Sequence, residues 1–208
     1  MSTKPRGRPR AFEPGAALDA LTNVFWTHGF AAASLDMLAA SAGVNRPSLY
    51  AAFGDKRTMY LRAIEKVAAQ LEASIAQVLA GERPVSDELT TFYEESIAAY
   101  LDGESGPRGC LIVCTAPSSS LDEPEVKDAL RAVLAMIDRG LEKRFATARE
   151  AGELATDTDV RALARVASSA LHSLAIRARA GESRAQLLTL ARASVALTVG
   201  VPRSRRKR

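Results

Sequence analysis

Residues 34–56 carry side chains whose types and spacing suit contacts with DNA. An arginine such as Arg46 can donate two hydrogen bonds to the edge of guanine, and Asn45 can pair in the same way with adenine. Lys56 would oppose the dipole of the helix that it begins, which favours a phosphate group beside it. The candidate DNA contacts of this segment are Ser34, Asn45, Arg46, Pro47, Ser48, Tyr50 and Lys56.

Two short helices around a tight turn would position these side chains as a helix-turn-helix. Gly43 gives the turn the backbone freedom that it needs, and Ser34 and Asn45 are each placed to cap a helix N-terminus. Leu49 and Phe53 are expected to point into the core, so that the start of the second helix can reach base edges in the major groove. A helical hairpin packed in a core, with ordinary solvated polar residues, is the alternative interpretation.

Both ends of the chain are basic. Nine positive charges lie in residues 1–10 and 203–208, so a formal net charge of +4 for the whole chain leaves −5 for residues 11–202. Basic ends on a mildly acidic body indicate contact with a polyanion. The N-terminal arm would reach a minor groove next to the helix-turn-helix, whereas the C-terminal run is equally well explained as a solubilising tail. The candidate contacts of the arm are Arg6, Arg8 and Arg10.

The remaining sequence predicts an all-α fold of about nine helices, because apolar residues recur at helical spacing almost throughout. A first helix is expected over residues 14–28, and Gly29 would end it. Periodicity does not separate helix from strand in the apolar run 110–116, where the helical surroundings favour a short helix ended by Pro117. The expected domains are a basic arm (1–10), a DNA-binding head (11–56), a ligand-binding and dimerisation domain (57–202) and a basic tail (203–208).

Several short motifs in residues 6–66 together resemble the TetR/AcrR family of bacterial regulators. The departures from the family pattern are Ala52, where a polar or aromatic residue is common, and Arg57, where an acidic one is common; each is expected to alter one phosphate contact. A weaker resemblance to one subgroup covers residues 108–111 and 174–181. The matching motifs are Phe25–Trp26, His28–Gly29–Phe30, Ser34–Leu35, Ala42–Gly43–Val44, Ser48–Leu49–Tyr50 and Phe53–Gly54–Asp55–Lys56.

The resemblance implies a fold and a function beyond what the residues indicate by themselves. Family members are all-helical homodimers with a three-helix DNA-binding head and a C-terminal helical domain that binds a small molecule and dimerises. Most are repressors that the small molecule releases from a palindromic operator. The implied partners are therefore double-stranded operator DNA, a second copy of the chain and a small-molecule effector of unknown identity.

The last two expected helices are rich in small and apolar residues, which independently permits a dimer. A single chain could not easily cover such faces, so they are expected to pair with those of a second copy; a bundle within one chain is the alternative. The predicted interface residues are Ala167, Ala170, Leu171, Leu174, Leu187, Ala191, Ser194 and Val195.

Aromatic hydroxyls, a serine and sulfur atoms in the middle of the chain predict an effector pocket. Within an apolar shell they would suit a moderately apolar ligand. The alternative interpretation is that most of them are plain core. The predicted ligand contacts are Phe92, Tyr93, Ser96, Tyr100, Cys110, Cys114, Met136 and Ile137.

The two cysteines, Cys110 and Cys114, admit three interpretations: inert buried thiols, a redox or electrophile sensor, or a soft-metal site. A metal is disfavoured because the only histidines, His28 and His172, are distant from them in sequence. No catalytic, cofactor-binding or metal-binding motif is recognised, so neither an enzyme nor a cofactor is expected.

The composition predicts a cytoplasmic protein. No run of about 18 apolar residues suggests a membrane span, the N-terminus lacks the features of a secretory signal, and two cysteines suit a reducing compartment. The leading hypothesis is a ligand-responsive repressor. The alternatives are a non-specific architectural DNA-binding protein that uses both basic ends, a thiol-based sensing regulator, and a helical interaction module without a DNA role.

Overall fold

The structure, a computed structural model, describes residues 13–103 and 106–200. These residues form helices and no strand, which confirms the predicted all-α fold. The predicted contacts Arg6, Arg8 and Arg10 and the tail 203–208 lie outside the described residues. The helices are α1 (Pro14–Ala32), α2 (Leu35–Ser41), α3 (Arg46–Phe53), α4 (Lys56–Val78), α5 (Val85–Leu101), α6 (Leu111–Ser119), α7 (Pro124–Glu150), α8 (Val160–Arg179) and α9 (Arg184–Val199).

Side-chain caps begin three of the four helices in the N-terminal part. The predicted caps at Ser34 and Asn45 are confirmed, since their side chains accept hydrogen bonds from backbone N–H groups inside α2 and α3. Asp55 caps α4 in the same way. Each cap satisfies a backbone donor that a helix N-terminus leaves without a partner. At the other end, Gly29 (φ +72°) interrupts α1 where the sequence predicts a stop.

Pro117 does not end α6, contrary to the prediction. The helix continues to Ser119 although the proline removes one backbone donor. The residues just before the proline pack tightly against other helices. Ala116 is fully buried, and the buried Thr115 hydroxyl lies 2.6 Å from the Tyr60 hydroxyl of α4. Packing of α6 against α1, α4, α7 and α8 therefore outweighs the lost hydrogen bond.

One continuous apolar core runs through the molecule. It joins Leu21 and Phe25 of α1 to the buried aromatic residues of α5 and α7. The helix α1 packs on α4 and α6, α4 crosses α7, and α8 packs against α5, α7 and α9. The N-terminal helices thus rest directly on the C-terminal ones.

A buried ion pair, which the sequence did not reveal, fixes the turn between α4 and α5. Glu88 and Arg144 are 1% and 3% exposed, and their Oε2 and Nε atoms lie 2.5 Å apart. The Glu88 carboxylate also accepts from the backbone N–H groups of Gly81 and Arg83, each at 3.0 Å. The pair therefore ties this turn to α7.

Two features are absent from the described part of the chain, a membrane-spanning helix and a metal-binding cluster. None of its helices combines the length and the hydropathy required to cross a lipid bilayer. Within the same residues, no group of three or more His, Cys, Asp or Glu side chains is arranged to hold a metal ion.

Candidate nucleic-acid interface and effector cavity

The α2–α3 pair has the geometry of a helix-turn-helix. Gly43 (φ +66°) forms the turn, and the backbone N–H of Val44 donates to the carbonyl of Ala39 at 3.0 Å. Leu49 and Phe53 are buried, as predicted. The opposite face of α3 is left to the solvent, where it can meet a partner.

The exposed surface at the start of α3 contains the residues that the sequence singles out as DNA contacts. All five are exposed, including the aromatic ring of Tyr50 at 44%. A tyrosine this open is available to a partner rather than to the core. These residues are Asn45, Arg46, Pro47, Ser48 and Tyr50.

The cap on α3 changes what Asn45 can do. Its Oδ1 accepts from the backbone N–H of Ser48 at 2.9 Å. A bidentate contact with adenine needs both the oxygen and the nitrogen of the amide. The cap uses one of the two lone pairs of Oδ1. The other lone pair and the N–H donors of the amide stay available, and the pairing of Asn45 with adenine stays a prediction.

Arg46 has a partner that the sequence analysis missed. Its Nε donates to Oδ1 of Asp36 at 2.6 Å, and its Nη2 pairs closely with Oδ2 of the same carboxylate. The hydrogen bonds from Arg46 lower the pKa of the Asp36 carboxyl below its ordinary value. The two residues are ten positions apart, so only the fold of α2 on α3 brings them together.

Lys56 has an intramolecular explanation. Its Nζ donates to the carbonyl of Ala31 at 3.2 Å and lies 4.7 Å from the centroid of the Phe30 ring. Partial burial lowers the pKa of this lysine. Lys56, at the start of α4, thus has partners at the end of α1. Its unfavourable position in the helix dipole is therefore explained without a bound phosphate.

Arg57 also pairs within the chain. Its Nη1 lies 3.4 Å from an oxygen of Glu123 and 3.3 Å from one of Glu125. These contacts join the start of α4 to the corner between α6 and α7. The departure from the family pattern at this position therefore serves an interhelical ion pair.

A cavity of about 310 Å³ lies between α1, α4 and α5. Three predicted ligand contacts line it, namely Ser96, Tyr100 and Cys110. Trp26 and the exposed Glu95 were not predicted and also line it. Burial holds the pKa of Tyr100 well above its ordinary value.

The other five predicted ligand contacts lie elsewhere. Phe92, Tyr93 and Ile137 are core residues, and the Tyr93 hydroxyl donates to the carbonyl of Ala167 at 2.9 Å. A separate groove of about 450 Å³ between α4 and α7 is lined by Met136. The remaining five are thus Phe92, Tyr93, Cys114, Met136 and Ile137, and none of them lines the α1–α4–α5 cavity.

Both thiols are free, and Cys110 is buried. Burial raises the pKa of Cys110 and also that of Cys114. The Sγ of Cys114 lies 3.7 Å from the carbonyl oxygen of Ala175. Both groups are therefore held as thiols, which favours the inert interpretation because the thiolate is the reactive form.

Three side chains, Trp26, Arg108 and Arg179, link α1 to the C-terminal helices, and we call them the junction clasp. The Trp26 Nε1 donates to the carbonyl of Gly109 at 2.9 Å, and the Arg108 guanidinium stacks 4.0 Å from the centroid of its ring. Arg179, at the end of α8, donates to the carbonyls of Trp26 and Thr27 at 3.0 and 3.3 Å. Sequence spacing gives no sign of this cluster, because its members are far apart along the chain.

The prediction for the dimer interface requires a correction. A single chain does cover most of the predicted face, because α8 packs against α5, α7 and α9. Ala170 and Ser194 are half-buried. The other six, which are buried inside the chain, are Ala167, Leu171, Leu174, Leu187, Ala191 and Val195.

Other apolar residues of α8 and α9 face the solvent. Val166 and Ile176 of α8 are 58% and 54% exposed, and Leu197 of α9 is 89% exposed. The periodicity of α8 and α9 could not separate this face from the buried one, because both faces contain apolar residues.

Comparison with known proteins gives consistent matches over most of the chain. Residues 17–63 match the family described as "Bacterial regulatory proteins, tetR family", and residues 87–194 match "Tetracyclin repressor-like, C-terminal domain". The chain is 31% identical to the HTH-type transcriptional repressor ComR of Escherichia coli (strain K12) over 192 residues, 90% of each protein. It is 34% identical to the HTH-type transcriptional repressor BdcR of the same organism over 107 residues, 51% of this chain and 54% of BdcR.

A solved structure extends the match to three dimensions. A cysteine mutant of the TetR family transcriptional regulator CifR, complexed with a 26-bp double-strand operator DNA, superposes with a TM-score of 0.82 at 31% identity. The match covers 90% of this chain and 98% of the CifR chain.

Proposed function

Because the chain belongs to the tetR family of bacterial regulatory proteins, we propose that it is a ligand-responsive repressor that binds a palindromic operator as a homodimer. The observation that carries the proposal is the capped α2–α3 pair with Arg46, Ser48 and Tyr50 exposed on α3. The likeness to CifR, which was solved with operator DNA, supports the same role. The family consists of transcriptional regulators and is not an enzyme class. The proposed location is the cytoplasm, because the proposed operator is part of the bacterial DNA.

In this proposal residues 11–56 form the DNA-binding head and residues 57–202 the effector and dimerisation domain. The arm residues Arg6, Arg8 and Arg10 would add contacts with the minor groove. Ser34, at the start of α2, would offer phosphate contacts from the backbone amides next to it.

The α1–α4–α5 cavity is the proposed effector site. Its wall of Trp26, Val67 and Leu71 is apolar, while Ser96 and Glu95 offer a few polar contacts. Trp26 belongs both to this wall and to the junction clasp. A ligand that displaces the indole would therefore shift α1 and with it the head.

The exposed residues of α8 and α9 form the proposed dimer face. Val166, Ile176 and Leu197 are large apolar side chains in contact with water, and burying them against a second copy would be favourable. Ala170 and Ser194 stay in the proposal as half-buried neighbours on the same helices.

A gel-shift series on the gene's own upstream region tests the proposal. At about 150 mM salt, with an excess of random DNA, the wild type should retard one fragment specifically. Arg46→Ala should weaken this complex far more than binding to random DNA. Arg131→Ala removes a positive charge from α7 and should change neither. An absence of any sequence preference by the wild type contradicts the proposal.

The architectural alternative makes an opposite prediction. It requires binding without a palindrome, with the basic ends as the main contact. Deletion of residues 203–208 should then abolish binding to every DNA. Retained operator binding by this deletion variant removes the alternative, and unchanged mobility on any DNA would instead favour a helical interaction module.

A thiol-based sensor is the second candidate, because Cys110 lines the proposed effector cavity. The raised pKa values of both cysteines oppose it. Operator release under mild oxidant should be compared between the wild type and Cys110→Ser. Equal release by both proteins, or none by either, removes the sensor, while release by the wild type alone establishes it.

A further inference from the structure

We propose that Asp36 is a positioning residue for operator recognition, because it holds Arg46 with one edge of the guanidinium free to read a guanine. The inference rests on the proposed function, since it needs a specific operator. Asp36 would thereby help to select the operator sequence. It lies on α2, and nothing in the sequence indicates that a residue of this helix affects base selection.

The hydrogen-bond pattern of the pair defines which edge is free. A guanidinium has five N–H donors, one on Nε and two on each Nη atom. Asp36 engages Nε and one N–H of Nη2. The edge formed by Nη1 and the second N–H of Nη2 is left, and it presents two parallel donors. Guanine offers two matching acceptors, N7 and O6, in the major groove.

The pair is placed where such a contact would form. Arg46 is the first residue of α3, and the N-terminal residues of a recognition helix are those that reach base edges. Asp36 lies in the first turn of α2, where a carboxylate is favoured by the helix dipole. Their side chains are 52% and 74% exposed, so the pair lies on the surface of the head and not in its core.

The pair also affects how the head discriminates among sequences. An arginine that is already held loses less rotamer freedom when it binds. The carboxylate neutralises part of the charge that Arg46 would otherwise offer to any phosphate. Asp36 should therefore raise base selectivity while it lowers affinity for DNA of random sequence, and a purely structural role would not produce this combination.

Operator variants measure that combination directly. The bound operator is first located by footprinting, and each base pair of one half-site is then exchanged in turn. Arg46→Ala should lose discrimination at one G·C pair by about 10-fold or more. Asp36→Asn should lose most of the discrimination at the same pair, with unchanged or tighter binding to random DNA. Asp36→Glu, which retains the carboxylate, should restore part of it.

A matched control and a double variant complete the experiment. Glu65→Gln removes an exposed carboxylate from α4 and should leave the discrimination profile unchanged. The double variant Asp36→Asn/Arg46→Ala should match Arg46→Ala alone, because the two residues act through one contact. Equal melting temperatures of the single variants and the wild type are expected.

Three results would overturn the inference while the proposed function stands. They are full discrimination by Asp36→Asn at the pair that Arg46→Ala loses, additive effects in the double variant, and a uniform loss of binding to all DNA by Asp36→Asn. A wild-type protein without any sequence preference would instead overturn the proposed function itself, so the two failures are distinguishable.

Discussion

Some residues of the DNA-binding head both stabilise a helix and offer exposed groups to DNA. Asn45 shows this most clearly, because its Oδ1 caps α3 while its N–H donors stay exposed. Ser34 likewise caps α2, since its Oγ accepts from the backbone N–H of Met37 at 3.2 Å, and it is also a predicted DNA contact. A loss of function at such residues therefore has to be separated from a loss of helix stability.

A pair of substitutions at Asn45 makes that separation. Asn45→Ala removes the cap and should lower the free energy of unfolding by about 1 kcal/mol. Asn45→Ser retains a capping oxygen and should stay near the wild type in stability. If both variants bind the operator equally weakly, the lost N–H donors are responsible; if only Asn45→Ala is weak, the cap is. Urea denaturation and gel shifts on the same samples give both quantities.

The buried Glu88 carries a pH dependence with a defined sign. Burial acts to raise its pKa, but hydrogen bonds from Arg144 and from backbone amides outweigh this, so the pKa lies below the ordinary value of 4.5. A carboxylate with a depressed pKa stabilises the fold above the unfolded-state pKa, and this contribution is lost as the pH falls through the folded-state pKa. Acidification below about pH 4.5 should therefore weaken the fold.

Glu88→Gln tests this at neutral pH and in acid. The substitution removes the carboxylate nearest to the buried Arg144 and leaves only Glu153, 3.4 Å away, as a charged partner. It should cost about 3 kcal/mol at pH 7, and the difference from the wild type should shrink as the pH falls below 4.5. Asp128→Asn breaks an exposed pair with Arg131 (3.1 Å) and should change stability by less than about 1 kcal/mol. A pH-independent difference between Glu88→Gln and the wild type would contradict the assignment.

At the scale of helices, close packing between two helices can require a residue that local helix propensity disfavours. The helices α4 and α7 approach so closely that a Cβ added at Gly140 would lie 2.5 Å from Cγ2 of Ile75. A glycine inside a helix is unfavourable by itself. This one is explained by the crossing, since Ile75 is buried and its branched side chain has little room to move.

Two glycine substitutions should therefore act in opposite directions. Gly140→Ala should destabilise the protein by about 1–3 kcal/mol because the added methyl overpacks the α4–α7 contact. Gly15→Ala, in α1, meets no atom within 4 Å and should stabilise by about 0.5 kcal/mol. Thermal unfolding of both variants distinguishes packing from helix propensity, and a stabilised Gly140→Ala would show that α7 can move away from α4.

The signals that predicted the helices are local, whereas the errors arose from contacts between distant segments. Ser34 and Asn45 were identifiable as caps because a cap depends on the few residues that follow it. The prediction that Pro117 ends α6 is wrong because packing around Thr115 holds the helix together beyond the proline. Arg46 was identified as a candidate reader, but its partner Asp36 was not, since no periodicity links two residues across a turn.

For the whole molecule, the dimer face also depends on contacts between distant segments, which the sequence does not reveal. Small and apolar residues on α8 pointed to a helix interface, and the sequence could not say whether Leu171 or Ile176 faced outwards. The structure buries the first and exposes the second. The proposed dimer therefore depends on the exposed side chains, although the buried ones determine how α8 lies.

Ile176→Glu tests the proposed dimer face. A charge in a dimer interface without a partner should shift the molecule to monomers and weaken operator binding, which needs two heads. Leu121→Glu is the matched control, because Leu121 is an apolar residue 85% exposed on the corner between α6 and α7. Sedimentation equilibrium gives the mass of each variant, and a dimeric Ile176→Glu would place the interface elsewhere.

The junction clasp limits how freely this protein can be recombined with its relatives. A chimera that joins a foreign head to residues 57–200 would discard Trp26, and with it the ring on which Arg108 stacks and the indole donor to Gly109. Arg179 would keep its contact with the carbonyl of Arg108, but it would depend on a foreign α1 to place two backbone carbonyls where those of Trp26 and Thr27 now lie. Engineered sensors built from this effector domain should therefore exchange only the outer face of α3, and keep α1 native.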